Sequence, residues 1–194
     1  MQSWKVSAAT NSVSDFPVLF LLGPSGSGKT TLGEALATER RFLHLNIDRF
    51  PDGDGIDIEG LRSEWDGLLA GASRSFFQAV RNRAAGASRA GAVLSFPSLL
   101  TFTPDRIRDF AKEGITTVLL FGSAAECRDA FVQNERLARR VGGDLVAHWN
   151  LNNEALYRAL EAPGYDFVRL PTFNAGRRRP VDELVTEVMR RLDS

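Results

Sequence analysis

The chain has a single cysteine, Cys127, and only two histidines among its 194 residues. One thiol can form neither an internal disulfide nor a cysteine-built metal centre. An excess of either charge is also lacking, since 24 Lys and Arg balance 24 Asp and Glu. A formal net charge of zero supplies no global field for long nucleic acid or for an anionic membrane surface. No apolar run approaches the ~20 residues of a membrane-spanning helix. The opening MQSWKVSAATNSVSD carries Lys5 but no apolar stretch of the kind a secretion signal needs. Residues 1–15 read as a flexible polar tail ahead of one domain over 16–194. These absences lead us to expect a cytoplasmic protein with no membrane or long nucleic-acid partner. They leave the oligomeric state open. Hydrophobic residues, at 43%, suffice for a packed core.

What is present is concentrated between Val18 and Leu36, VLFLLGPSGSGKTTLGEAL. Val18 to Leu22 reads as a buried strand. Gly23-Pro24-Ser25-Gly26-Ser27-Gly28-Lys29-Thr30 then fits G-x-x-x-x-G-K-[ST] at every fixed position. Leu32, Ala35 and Leu36 continue at helical spacing. The glycines allow backbone conformations closed to other residues and a close approach to a ligand. Successive N–H groups of such a loop form a nest for anionic oxygens, and the following helix adds the positive end of its dipole. Lys29 supplies a point charge for the β- and γ-phosphates, and the Thr30 hydroxyl can ligate Mg²⁺. Gly23, Ser25, Gly26, Ser27, Gly28, Lys29, Thr30 and Thr31 are thus candidate nucleotide-binding residues, and Thr30 is the candidate metal ligand. The pattern implies a bound nucleoside triphosphate.

The rest of the chain alternates strands with helices. Phe42 to Ile47 reads as a second strand ending at Asp48. Pro51 to Gly55 is a loop whose aspartates do not make a calcium site, because Ile56 and Ser63 stand where oxygen ligands are required. Ile58 to Ala87 reads as helical, with Gly67 and Gly71 suggesting two helices or a kink. Ala92–Phe96, Thr116–Phe121 and Phe167–Leu170 read as further strands. Thr103-Pro104 begins a helix, and Ser123 with Glu126 forms a capping box for another. Further helices are expected from Asn152 to Leu160 and from Pro180 to Leu192, the last with an apolar stripe. This alternation predicts a parallel sheet covered on both faces, with ligands outside the carboxyl ends of its strands.

From Phe16 to Leu192 the layout resembles the P-loop small-molecule kinases of the nucleoside-monophosphate-kinase fold, a group that includes shikimate kinases, gluconate kinases and chloramphenicol phosphotransferase. The resemblance implies a five-stranded parallel sheet, order 2-3-1-4-5, with ATP and Mg²⁺ as cofactors. It implies transfer of the γ-phosphate to a hydroxyl of a small molecule. Asp48 in IDRF stands where the family places a carboxylate facing the acceptor, with Arg49 beside it. VLSFPSLL resembles the acceptor-side loop of gluconate kinases, which marks Ser95 and Ser98. ERLARR resembles the arginine-bearing lid, here 133–152, with Arg136, Arg139 and Arg140 as catalytic candidates. RLPTFNAGRRRPVDEL resembles the adenine-side loop, so that Arg177 and Arg178 would flank the base. Trp65 fits an acceptor pocket and fits a core equally well.

The chain departs from the family in two places. Strand three ends without an acidic residue, so a usual outer-sphere ligand of the metal is missing. The stretch from Phe50 to Asp66 matches no known acceptor signature, although its layout slightly favours the antibiotic phosphotransferase. Two other functions stay open. One is a nucleotide-binding ATPase or regulator that acts through a protein partner. The other is a nucleotide kinase, for which Arg49, Arg62, Arg74, Arg81, Arg83 and Arg89 supply basic groups. Asp48 also fits a turn cap, and the arginines of the lid and of 177–179 fit solvated faces.

Overall fold

The computed structural model of the chain describes residues 16–47, 58–96, 102–138, 144–160 and 168–192. Its centre is β1 (Val18–Leu22), in which all five residues are buried. A strand with no polar position has to be covered on both faces. Parallel neighbours β3 (Gly91–Ser95) and β4 (Ile115–Phe121) flank it, with Val18 level with Ala92 on one side and Ile115 on the other. β2 (Phe42–Asn46) pairs with β3, and β5 (Val168–Pro171) pairs with β4. The sheet therefore runs β2-β3-β1-β4-β5, the order expected.

Alternation along β1 divides the core in two. Val18, Phe20 and Leu22 face one layer, and Leu19 and Leu21 face the other. The first layer is aromatic: Phe20 meets Phe77, Phe102 and Phe110 at ring-centroid distances of 6.3, 5.5 and 5.9 Å. Helices α2 (Ile58–Ala70), α3 (Ser73–Gly86) and α4 (Pro104–Lys112) supply most of its rings. The second layer, between the sheet and helices α1 (Lys29–Glu39) and α7 (Val181–Leu192), is mainly aliphatic and holds Leu32, Leu36, Val185 and Val188, with Phe42 as its one buried ring among the described residues. Burying one such side chain contributes roughly 1.5–3 kcal/mol.

Local signals explain the boundaries. The helical stretch after Ile58 divides at Gly71, whose φ of 114° is a left-handed turn closed by Ala72 N–H donating to the Gly67 carbonyl at 2.8 Å. The Thr103 hydroxyl accepts from Arg106 N–H and caps α4, with Pro104 in its first turn. In α5 (Ala124–Ala138) the capping box forms as its sequence predicts: Ser123 N–H donates to Glu126 Oε2 at 2.8 Å, and Glu126 N–H donates to Ser123 Oγ at 3.2 Å. Two elements differ from the expectation. Helix α6 (Leu145–Leu160) starts seven residues before Asn152, because Asp144 Oδ1 accepts from the N–H groups of Val146 and Ala147 and caps it. A hairpin of β6 (Phe173–Asn174) and β7 (Arg177–Arg178) also precedes α7, where no strands were expected. It turns through Ala175 and Gly176, both at positive φ.

Among the described residues no helix is long and apolar enough to cross a membrane. The tail at 1–15 lies outside the described residues, as do residues 139–143 of the lid region.

Candidate active site

The phosphate loop leaves the carboxyl end of β1 and feeds α1. Gly23, Gly26 and Gly28 have φ of 148°, 87° and 94°, conformations that side chains with a Cβ rarely adopt. Space is short as well. A Cβ on Gly26 would lie 2.0 Å from the Cys127 carbonyl oxygen, so the loop rests directly on the α5 backbone. A Cβ on Gly23 would lie 2.2 Å from the Leu120 carbonyl oxygen. Among the described residues no side chain caps α1 at Gly28, and its first turn carries no acidic residue. Its positive end is left to whatever the loop holds.

The loop's carbonyls from Gly23 to Gly26 each accept a hydrogen bond from a side chain. Lys29 is 6% exposed, and its Nζ donates to the carbonyls of Gly23 and Pro24, both at 2.9 Å. Trp149 Nε1 donates to the Ser25 carbonyl at 2.9 Å. Arg178 donates to the Gly26 carbonyl at 2.9 Å while its guanidinium lies 5.4 Å from the Phe173 ring. Arg178 is exposed as a whole, and partial desolvation of its guanidinium against the loop lowers its pKa from the usual value. Ser27 Oγ is fully buried and, among the described residues, has no hydrogen-bond partner.

Under the loop lies a short polar chain. Asn46, at the end of β2, donates from Nδ2 to Thr30 Oγ1 at 3.3 Å. This uses one lone pair of the hydroxyl and leaves the other for a metal. Ser95, level with Leu21 and Asn46 in the sheet, is fully buried. Its hydroxyl donates to the Lys29 carbonyl at 3.3 Å and bonds His44 Nε2 at 2.9 Å. The imidazole lies where a Cβ on Gly33 would stand, 2.3 Å away, so a glycine in mid-helix lets α1 close on β2.

The sequence candidates are distributed unevenly. Gly23, Ser25, Gly26, Ser27, Gly28, Lys29, Thr30 and Thr31 gather in one loop and the first turn of α1. Ser95 joins them from below, engaged with the loop's support. Trp65 is 9% exposed and stands edge-on to Phe76, Phe96 and Phe102. It belongs mainly to the aromatic layer, at the side where Phe96 leaves β3. Arg177 is exposed on the hairpin, whereas its neighbour Arg178 reaches the loop. His148 is exposed and stacks on Phe131 at 6.0 Å. Arg136 is described only as a helical residue of α5. Asp48, Arg49, Ser98, Arg139 and Arg140 lie outside the described residues. The sequence reading missed Asn46, Trp149, Asn153 and the loop contact of Arg178. Only Arg178 had a signal, through its place in the RRR run.

Burial raises the Cys127 thiol pKa, in keeping with an inert packing role. Tyr157 beside it donates to the Gly122 carbonyl at 3.1 Å, and burial raises its pKa too.

The residues present fit a nucleoside triphosphate with a divalent ion on three counts. The glycine cradle has no room for a Cβ at two positions. Among the described residues a buried loop hydroxyl, Ser27 Oγ, has no partner. Thr30 keeps a lone pair for a hard cation.

No family model matches the chain, and no curated protein matches it. Solved structures do. A sugar kinase from Janibacter sp. HTCC2649, unliganded, shares 20% identity at a TM-score of 0.54, over 92% of this chain and 95% of that one. A gluconokinase from Sinorhizobium meliloti 1021 shares 20% identity at 0.50, over 91% of each chain. A shikimate kinase from Acinetobacter baumannii, in complex with shikimate, shares 19% identity at 0.48, over 92% of this chain and 94% of that one. The likeness is one of fold. The chain is a P-loop α/β protein with nucleoside-kinase-like strand order, the architecture that its resemblance to small-molecule kinases implies.

Proposed function

We propose that the protein is an ATP-dependent kinase of a small hydroxylated molecule, with Mg²⁺ as its metal. The observation that carries this reading is the formed phosphate loop: three glycines at positive φ, Lys29 at the start of α1, and four consecutive loop carbonyls held by side chains. The solved kinases of the same fold support it.

Bound ATP would supply the transferable γ-phosphoryl group and Mg²⁺ would neutralise its charge. The loop amides and Lys29 would hold the phosphates, and Thr30, oriented by Asn46, would ligand the metal. Asp48 would orient the acceptor hydroxyl and accept its proton. Arg136, Arg139 and Arg140 would close over the phosphates, and Arg177 would lie on the base side. Arg49, Trp65 and Ser98 would line the acceptor space, and Ser95 would act from beneath the loop. Such a reaction suits the cytoplasm and a small-molecule partner such as a sugar acid, a related metabolite or an antibiotic.

The test is ADP release from Mg-ATP in the presence of sugar acids, nucleosides, and aminoglycoside or phenicol drugs. We expect a rate that depends on one acceptor class. Turnover indifferent to every acceptor would favour an ATPase acting through a protein partner.

A further inference from the structure

Ser25, in the middle of the phosphate loop, is held on both sides by a helix that follows it by more than a hundred residues. Asn153 Oδ1 accepts from Ser25 N–H at 2.9 Å, and Trp149 Nε1 donates to the Ser25 carbonyl at 2.9 Å. Asn153 Nδ2 in turn donates to the Trp149 carbonyl at 2.8 Å. The two residues stand one helical turn apart on one face of α6 and are 3% and 2% exposed. The helix that carries them is fixed to the domain. Leu156 is buried in the aromatic layer, and Tyr157 bonds the Gly122 carbonyl.

A trans peptide sets each carbonyl opposite the N–H of the next residue. Holding the Ser25 carbonyl toward α6 therefore turns the Gly26 N–H to the side away from α6. Asn153 meanwhile fixes the preceding peptide. With Lys29 on the carbonyls of Gly23 and Pro24 and Arg178 on that of Gly26, four consecutive carbonyls accept from side chains. The α6 pair is the only part of this set that carries no charge and lies on neither the loop nor the hairpin.

We propose that Trp149 and Asn153 are positioning residues of the nucleotide site, which hold the phosphate loop open in its anion-binding form before the nucleotide arrives. They act through Ser25 without touching the nucleotide. A loop that is already ordered loses less entropy on binding, and the gain is read as affinity. This inference rests on the nucleotide-binding part of the proposed function.

Two variants of the full chain test it, with Mg-ADP and Mg-ATP as probes in calorimetry well below the melting temperature. Trp149→Phe keeps the ring and removes the N–H. Asn153→Leu keeps the shape and removes both bonds. Each is expected to weaken Kd about threefold to tenfold, the range set by one or two neutral hydrogen bonds. The double variant is expected to lose less than the product of the single losses, because the two residues hold one peptide segment. A lowered melting temperature with wild-type Kd in the folded protein would mean that the pair only packs α6, and would overturn the inference. Saturable binding by the wild type separates that failure from failure of the proposed function. If the wild type binds neither nucleotide, both fall together.

Discussion

The phosphate loop and the aromatic wall of Trp65, Phe96 and Phe102 stand near the carboxyl ends of neighbouring strands, yet they are made of different material. The loop is built from backbone. Its shape comes from three glycines, its donors are amides, and its carbonyls are held by Lys29, Trp149 and Arg178. The wall is built from side chains contributed by α2, the end of β3 and the residue before the Thr103 cap. On the proposed function, the backbone loop would recognise the triphosphate tail, which is common to all ATP-dependent kinases. On the same proposal an acceptor, which differs from one enzyme to the next, would meet side chains, among them those at the edge of this wall.

If the two regions are separable in this way, they can be broken one at a time. The largest effect is expected from Asp48→Asn, the proposed general base. Acceptor-dependent ADP release should fall by about 10²–10⁴-fold, as for loss of a general base. Kd for Mg-ATP should stay at the wild-type value. Weakened nucleotide binding in that variant would merge the two regions and remove the assigned role of Asp48. Next is Lys29→Ala, in which binding and turnover should fail together, with turnover down by about 10²–10³-fold. Retained turnover would show that the loop carbonyls, and not a phosphate, are the partners Lys29 serves.

Gly26→Ala tests the backbone itself. A residue with a Cβ at φ 87°, 2.0 Å from the Cys127 oxygen, should cost roughly 1–3 kcal/mol of strain. Urea unfolding should register this loss, with nucleotide affinity lost alongside it. Wild-type stability would mean that the loop can shift off α5.

The smallest effect concerns Glu126, which joins the start of α5 to the hairpin through Ser123 and the Gly176 N–H at 3.1 Å. The hydrogen bonds from Ser123 hold its pKa below the usual 4.5. Its contribution to stability is therefore present above 4.5 and is lost as pH falls through the lower native value. The gap in melting temperature between wild type and Glu126→Gln should be open near neutrality and should close in acid. A gap that widened in acid would reverse the sign of this coupling.

The same contrast explains how much could be read in advance. The loop was legible because glycine spacing, a lysine and flanking periodicity all encode backbone geometry locally. The sheet order followed from the resemblance and holds in the structure. The caps at Thr103 and Ser123 were legible for the same local reason. What escaped is nonlocal: Trp149 and Asn153 meet Ser25 across 124 and 128 residues. No pattern along the chain marks a tryptophan N–H as a carbonyl's partner. The β6–β7 hairpin escaped because its turn uses Ala175, a residue rarely found at positive φ, and its strands are only two residues long. Ser95 drew attention by its place after the third strand, but only the folded sheet shows its hydroxyl occupied beneath Lys29.

The claim on which the rest depends is that residues 23–30 grip the phosphates of a nucleotide. Calorimetric titration of the full chain with Mg-ATP tests it most directly. Saturable binding at one site per chain, abolished by Lys29→Ala, is the expected result. Absence of saturable heat with the wild type, or equal binding by Lys29→Ala, would contradict it.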